Sequence, residues 1–375
     1  MKPFLSHVAH DLYAKAHGDL SRTVVVFPGK RAGLFMNQYL MAETGGRPLF
    51  APNYMTLGEL FGSLTDLRTE DPIRLVCLLH RRFNECTQQH ESIDSFYSWG
   101  ELLLSDFDDI DKNLVNIDLL FRNLKNYTEL TEPTDFLTEE QRQVLERFFK
   151  GFKEREQSVI RRNFLRVWQA MAEIYQTFRC GLEGEGRAYE GQLFRHVVEH
   201  FDPARLTAER YVFVGFNVLS AVERRLFHLV RESGKAMFYW DYDRYYLDNP
   251  AAEAGMFIRM NIAEYGNELS ETPFGADLFE ASPFDNLCRL PQIDIMSAPT
   301  DSAQAGFVNG WVRENITRVE QETAVVLADE KLIMPVLHAL PMEAISDINV
   351  TMGMPMTETS VFRFLSDLVE EAFGE

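Results

Sequence analysis

Two short runs of unbroken apolar residues, Tyr211-Val212-Phe213-Val214-Gly215-Phe216 and Ala236-Met237-Phe238-Tyr239-Trp240, flank a helical pattern through Val222, Leu226, Leu229 and Val230. A strand with one face in water alternates apolar and polar side chains, whereas a run without polar positions suits a strand of a parallel sheet covered on both faces. A third run, Thr23-Val24-Val25-Val26-Phe27, precedes a helix expected over Gly33 to Met41, and a short extended piece is expected at Pro48-Leu49-Phe50-Ala51. Strands of this kind alternating with helices make the chain α/β.

Between residues 70 and 200 the texture changes. Ile73, Val76, Cys77, Leu79, His80 and Phe83 recur at helical spacing, as do Val144, Leu145, Phe148, Phe149 and Phe152, so an all-helical insertion is expected. Gly181-Leu182-Glu183-Gly184-Glu185-Gly186 reads as a turn before the next helix. After a turn-rich stretch from Asn267 to Leu290, a second β-α-β-α-β run is expected. It comprises Ile293-Asp294-Ile295-Met296, a helix over Ser302 to Ile316, Thr323-Ala324-Val325-Val326-Leu327, a helix ending near Leu340, and Ile348-Asn349-Val350-Thr351. A last helix follows from Val361 to Phe373. At 375 residues the chain exceeds one ordinary core. The expected division is an α/β domain from residues 1–70 and 200–290, a helical insertion at 71–199, and the start of a second α/β half at 291–375. That second half is short for its class, so the native protein is expected to continue past residue 375.

A formal net charge of −20, from 57 acidic and 37 basic side chains, repels polyanions at long range, so a DNA contact requires a local basic surface or a basic partner. No apolar run reaches the roughly 20 residues of a membrane helix, and Met1-Lys2-Pro3-Phe4-Leu5-Ser6-His7 lacks the form of a secretory leader. Cys77, Cys86, Cys180 and Cys288 lie far apart with no C-x-x-C pair, which disfavours a zinc ribbon or a disulfide framework. The expected compartment is the cytoplasm.

The run at 23–27 leads into Pro28-Gly29-Lys30-Arg31-Ala32-Gly33, which stops short of a phosphate-binding loop. Such a loop, G-x-x-x-x-G-K-[ST], wraps phosphates in backbone N–H groups and holds Mg²⁺ with its hydroxyl. Here Val24 stands at the first glycine position, Arg31 replaces the hydroxyl, and Pro28 removes an N–H donor. The acid pair that would hold Mg²⁺ at the end of a buried strand is also missing: the run at 211–214 ends in Gly215-Phe216-Asn217. Gly29, Lys30 and Arg31 therefore form a degenerate nucleotide loop. The rival reading is a divergent pocket using Lys30 and Asp241.

Other motifs are weaker. His196-Val197-Val198-Glu199-His200 spells the H-x-x-E-H of a zinc protease family but sits in an ordinary packing stripe. Asp329-Glu330-Lys331 spells half of a PD-(D/E)xK nuclease site without the upstream Asp, and reads as a helix cap. Asp106, Asp108, Asp109 and Asp111 lack the Gly and closing Glu of a calcium loop and read as a solvated face. Basic residues interleaved with aromatics at Arg161, Arg162 and Arg166, and again at Lys30 and Arg31, are the candidate DNA contacts.

Several of these pieces, taken in order, resemble the AddB-type family of inactivated superfamily I helicase proteins that carry a C-terminal PD-(D/E)xK nuclease. They are Val24-Val25-Val26-Phe27-Pro28-Gly29-Lys30-Arg31-Ala32-Gly33-Leu34-Phe35; Trp99-Gly100-Glu101-Leu102-Leu103-Leu104 with Asp106 to Asp111; Phe213-Val214-Gly215-Phe216-Asn217 with Glu223; Asp241-Tyr242-Asp243-Arg244-Tyr245-Tyr246; Glu253-Ala254-Gly255-Met256-Phe257; and Ala324 to Glu330 through Asn349-Val350-Thr351-Met352-Gly353. The resemblance spans nearly the whole chain. It implies a P-loop-NTPase-like, RecA-like sheet domain (1A-like) with 23–33 as the strand after an absent P-loop. It further implies a 1B-like helical insertion, and a 2A-like second half beginning at residue 291. It also implies no catalytic residue, metal or cofactor in this segment, an exonuclease site beyond residue 375, and recombinational repair of double-strand ends. The implied partners are an AddA-type helicase-nuclease subunit and DNA, with no membrane. The alternatives kept are a divergent ATP-binding protein and an interaction scaffold with no DNA role.

Overall fold

The computed structural model describes residues 3–88, 90–117, 119–121, 170–269, 284–287, 293–315, 323–343, 345, 347–353 and 355–373. Arg161, Arg162, Arg166 and the apolar repeat at 144–152 lie outside the described residues. The chain divides into two compact units, residues 1–289 and 290–375.

In the first unit, α1 (Phe4–Lys15) leads into β1 (Thr23–Phe27), α2 (Arg31–Glu43), β2 (Asn53–Thr56) and α3 (Leu57–Ser63). The strand arrives later than the expected piece at 48–51, where Phe50 makes only an isolated bridge to Asp19. After β3 (Arg68–Thr69), the helices α4 (Pro72–Thr87), α5 (Ile93–Lys112) and α6 (170–184) carry the helical texture read from the sequence. Pro72 opens α4 where its missing N–H costs nothing, and Asp71 accepts from the N–H groups of Ile73 and Arg74 at 3.0 and 3.2 Å. The turn expected at 181–186 is shorter than read, since α6 runs to residue 184. β4 (Arg187–Ala188) pairs in parallel with β3. Then follow α7 (Glu190–Glu199), β5 (Arg210–Val214), α8 (Ala221–Glu232), β6 (Ala236–Tyr239), α9 (Arg244–Asp248) and α10 (Met256–Tyr265).

The main sheet is parallel throughout, in the order β2-β1-β5-β6. The alternation of strand side chains assigns two cores. Val24, Val26, Tyr211, Phe213, Phe238 and Trp240 face α3, α7, α8 and α10. Val25, Phe27, Val212, Val214 and Tyr239 face Val8 and Leu12 of α1 and Met36 and Leu40 of α2. Both faces are thus covered, which is why these runs carry no polar position. A third core, with Leu79, Phe83, Phe96, Phe107, Ile174, Tyr175 and Phe178, binds α4, α5 and α6. The unit is α/β with a small parallel sheet and many helices.

In the second unit, α11 (Asp301–Asn315) packs on α12 (Ile333–Ala339) through buried Ala305, Val312, Ile333 and Val336. It also contains α13 (Ser360–Phe373). The three strands expected here do not form among the described residues: 293–296, 323–327 and 348–351 carry no ladder, and Ile295 and Val326 are 94% and 87% exposed. An apolar strand needs neighbours to take its N–H and C=O groups and cover its faces.

Candidate functional site

Strand order places the site. The connection from β1 goes outward to β2, while β5 pairs on the other side of β1, so the chain changes direction between β1 and β5. In open α/β sheets the crevice at such a point, beyond the carboxyl ends of the strands, is where ligands sit. Gly29, Lys30 and Arg31 follow β1 directly, and Gly215, Phe216 and Asn217 follow β5.

This rim differs from a phosphate cradle residue by residue. Lys30 is paired at the surface: its Nζ lies 2.7 Å from Glu59 Oε1. The same carboxylate accepts the Thr56 N–H at 2.8 Å, while Thr56 Oγ1 accepts the Glu59 N–H at 3.3 Å, a capping box at the start of α3. The Lys30 ammonium and the Thr56 N–H together hold the Glu59 carboxyl down to about 2. Gly29 is exposed, has no positive φ, and has no atom within 4 Å of where a Cβ would stand, so the backbone there does not require glycine.

At the end of β5, Gly215 turns the chain at φ +74° and Phe216 folds back into the core against Phe213 and Phe227. No carboxylate occupies the place of an acid pair. Asn217 accepts from Asn261 Nδ2 at 2.7 Å through its carbonyl, which pins this loop to α10. Asp241, the alternative partner of Lys30, follows β6, two strand spacings or about 10 Å from β1. The two are not brought together, and desolvation raises the Asp241 carboxyl. Asp243 is structural as well: desolvation opposes its charge, but the N–H groups of Leu287, Tyr245 and Asn286 hold its carboxyl below the usual range.

The rim also presents what sequence reasoning missed. Tyr245 and Tyr246 on α9 are 53% and 37% exposed, with their rings edge to face at 5.3 Å beside Arg244. Arg31 is likewise exposed. The missed signal was a Tyr-Tyr pair in a segment with no apolar run to absorb it.

The other motifs resolve differently. Asp111 is buried, contrary to a solvated face: it accepts from the hydroxyls of Tyr175 and Tyr189 and lies 3.3 Å from Arg195 and 3.7 Å from Arg179. Its neighbour Asp108 accepts the Gly191 N–H at 2.6 Å, joining α5 to the first turn of α7. Asp329 accepts the Lys331 N–H at 3.0 Å, the role of a cap. Glu199 pairs with Arg195 at 2.7 Å, so it is not free to act as a base beside His196 and His200. Among the described residues no group of three or more His, Cys, Asp or Glu side chains converges on a metal position, and no helix is long and apolar enough to cross a membrane. In comparisons with known proteins, no family model matches the chain, and no curated protein matches it either.

Proposed function

We propose that this chain is a noncatalytic, helicase-like portion of an AddB-type subunit, binding a helicase-nuclease partner and a DNA strand during the processing of double-strand ends. The observation that carries the noncatalytic part is the Lys30–Glu59 pair. The lysine placed where a P-loop would contact phosphate is neutralised by a neighbouring carboxylate, and the end of β5 supplies a glycine turn instead of a metal-binding acid. The DNA part is supported by exposed Arg31 after β1 and, two strands away after β6, by exposed Arg244, 3.6 Å from Asp248, with two accessible tyrosines, residue types that follow a backbone and stack bases. The family assignment rests on the ordered sequence resemblance alone; the first unit's small parallel sheet is compatible with it, whereas the strands it implies beyond residue 290 do not form among the described residues.

Thermal melting with and without Mg-ATP tests the first part, because a ligand bound only by the folded chain raises the melting temperature. No shift is expected at millimolar nucleotide; saturable binding at micromolar nucleotide would favour a divergent ATPase. Fluorescence anisotropy with labelled single-stranded DNA tests the second. Weak binding that falls steeply with salt and strengthens with the partner is expected. No binding at low salt, even with the partner present, would favour the scaffold reading suggested by the −20 charge.

A further inference from the structure

We propose that His196 and His200 form a binding site for a divalent transition-metal ion such as zinc at the C-terminal end of α7, distinct from the sheet rim. The two residues are four apart, and their rings stack with centroids 4.5 Å apart at an interplanar angle of 30°. Zn–N bonds of about 2.0–2.1 Å span donors no more than about 4 Å apart, so binding requires the stacked rings to turn until their Nε2 edges converge.

The hydrogen bonds settle which nitrogens are available. His196 Nδ1 lies 3.3 Å from Glu183 Oε1, and His200 Nδ1 lies 3.1 Å from the His196 carbonyl. A carboxylate and a carbonyl only accept, so each neutral ring carries its proton on Nδ1 and presents the Nε2 lone pair. Metal-ligating imidazoles are commonly held this way, with the far N–H given to a carboxylate or a carbonyl.

Both residues line a cavity of about 390 Å³ with Asp66, Asp202 and Arg205. The cations nearby are already balanced. Arg205 is bidentate on Asp66 at 3.2 and 2.5 Å, and Arg195 is held by Glu199 and Asp111. The carboxylates of Glu183 and Asp202 add negative charge that favours a dication. Imidazole donors select zinc, nickel or copper over magnesium and calcium, which take oxygen ligands. With two protein ligands the remaining positions go to water, so the ion clamps rather than catalyses. It would tie His200 to the last turn of α7, whose Leu193, Phe194, Val197 and Val198 fill the sheet core.

The test is calorimetric titration of the full chain with ZnCl₂, paired with thermal melting in ZnCl₂ or MgCl₂. The expected result is one zinc per chain, a higher melting temperature with zinc alone, and at least a roughly 10-fold loss of affinity in His196→Ala and in His200→Ala. Glu183→Gln is expected to weaken zinc several-fold while leaving the melting temperature of the metal-free protein in place. His200 is exposed, so its replacement leaves the core intact. Absence of saturable zinc binding, an equal effect of magnesium, or unchanged affinity in the double histidine variant would overturn the proposal.

Discussion

Glu59 accepts from Lys30 on one side and from the Thr56 N–H on the other, so its charge is bound up with two elements at once. Its folded titration lies near 2, below the ordinary 4.5. The lowered value means that this pair stabilises the fold above about pH 4.5 and that the contribution is lost as pH falls towards 2. Both side chains are exposed, and solvent screening keeps the energy small. In Lys30→Met the Glu59 carboxyl is expected to titrate closer to 4.5, which side-chain carbonyl NMR reads directly; an unmoved titration would mean that the Thr56 cap alone sets it. Two glycines give a sharper contrast. Gly29→Ala is expected to change stability by less than about 1 kcal/mol, since nothing lies near its Cβ. At Gly191 a Cβ would stand 2.5 Å from the Asp108 carbonyl oxygen, so Gly191→Ala is expected to force α5 and α7 apart and cost about 1–3 kcal/mol, measured by urea denaturation.

Elements are held by caps at their ends and by aromatic packing between them. Thr56→Ala removes half of the box at the start of α3 and is expected to cost about 1 kcal/mol in chemical denaturation. Phe213, in the middle of β5, lies 4.2 Å from Phe227 and 5.4 Å from Phe238, ring centre to ring centre. Phe213→Ala is expected to cost about 3–5 kcal/mol, since a buried sheet strand cannot collapse around the lost ring. The run 211–216 displayed this strand because both faces are apolar. The run at 48–51 misled because Pro48 and Leu49 lie just before the strand, and the register that half-buries Tyr54 and Met55 beside β1 depends on long-range pairing.

Across the first unit, Asp111 is the ionic counterpart of those cores. It takes two tyrosine hydroxyls and two guanidinium groups from α6, from α7 and from the segment just before α7. Desolvation, reinforced by the Asp111 charge, raises both Tyr175 and Tyr189 and keeps them protonated as donors. Asp111→Ala leaves the buried hydroxyls of Tyr175 and Tyr189 without their acceptor and the partly buried Arg179 without its carboxylate, while Arg195 keeps Glu199, and is expected to cost about 3–5 kcal/mol, a loss that urea denaturation would register. Among the described residues, the second unit has far less interior. Its described core rests on Ala305, Val312, Ile333 and Val336, while Val361, Phe364, Leu365 and Val369 of α13 are exposed. Backbone amides of 301–315 and 333–339 are therefore expected to exchange hydrogen faster than those of β1 and β5, as mass spectrometry would record. Equal protection in the two units would contradict this difference.

Local pattern alone determined the α/β character of the chain, the strands at 23–27, 211–214 and 236–239, and the absence of a hydroxyl-bearing phosphate loop. These follow from periodicity, turn residues and the side chains that chemistry requires, all of which are short-range properties. Tertiary structure alone decided that Lys30 turns to Glu59 instead of Asp241, that Asp111 is buried, and that His196 and His200 stack beside a cavity. Each of these depends on residues brought together by parallel crossovers and helix packing. The strand-like segments beyond residue 290 show the same division from the other side: their composition suits a sheet, but a strand exists only where neighbouring chain satisfies its backbone.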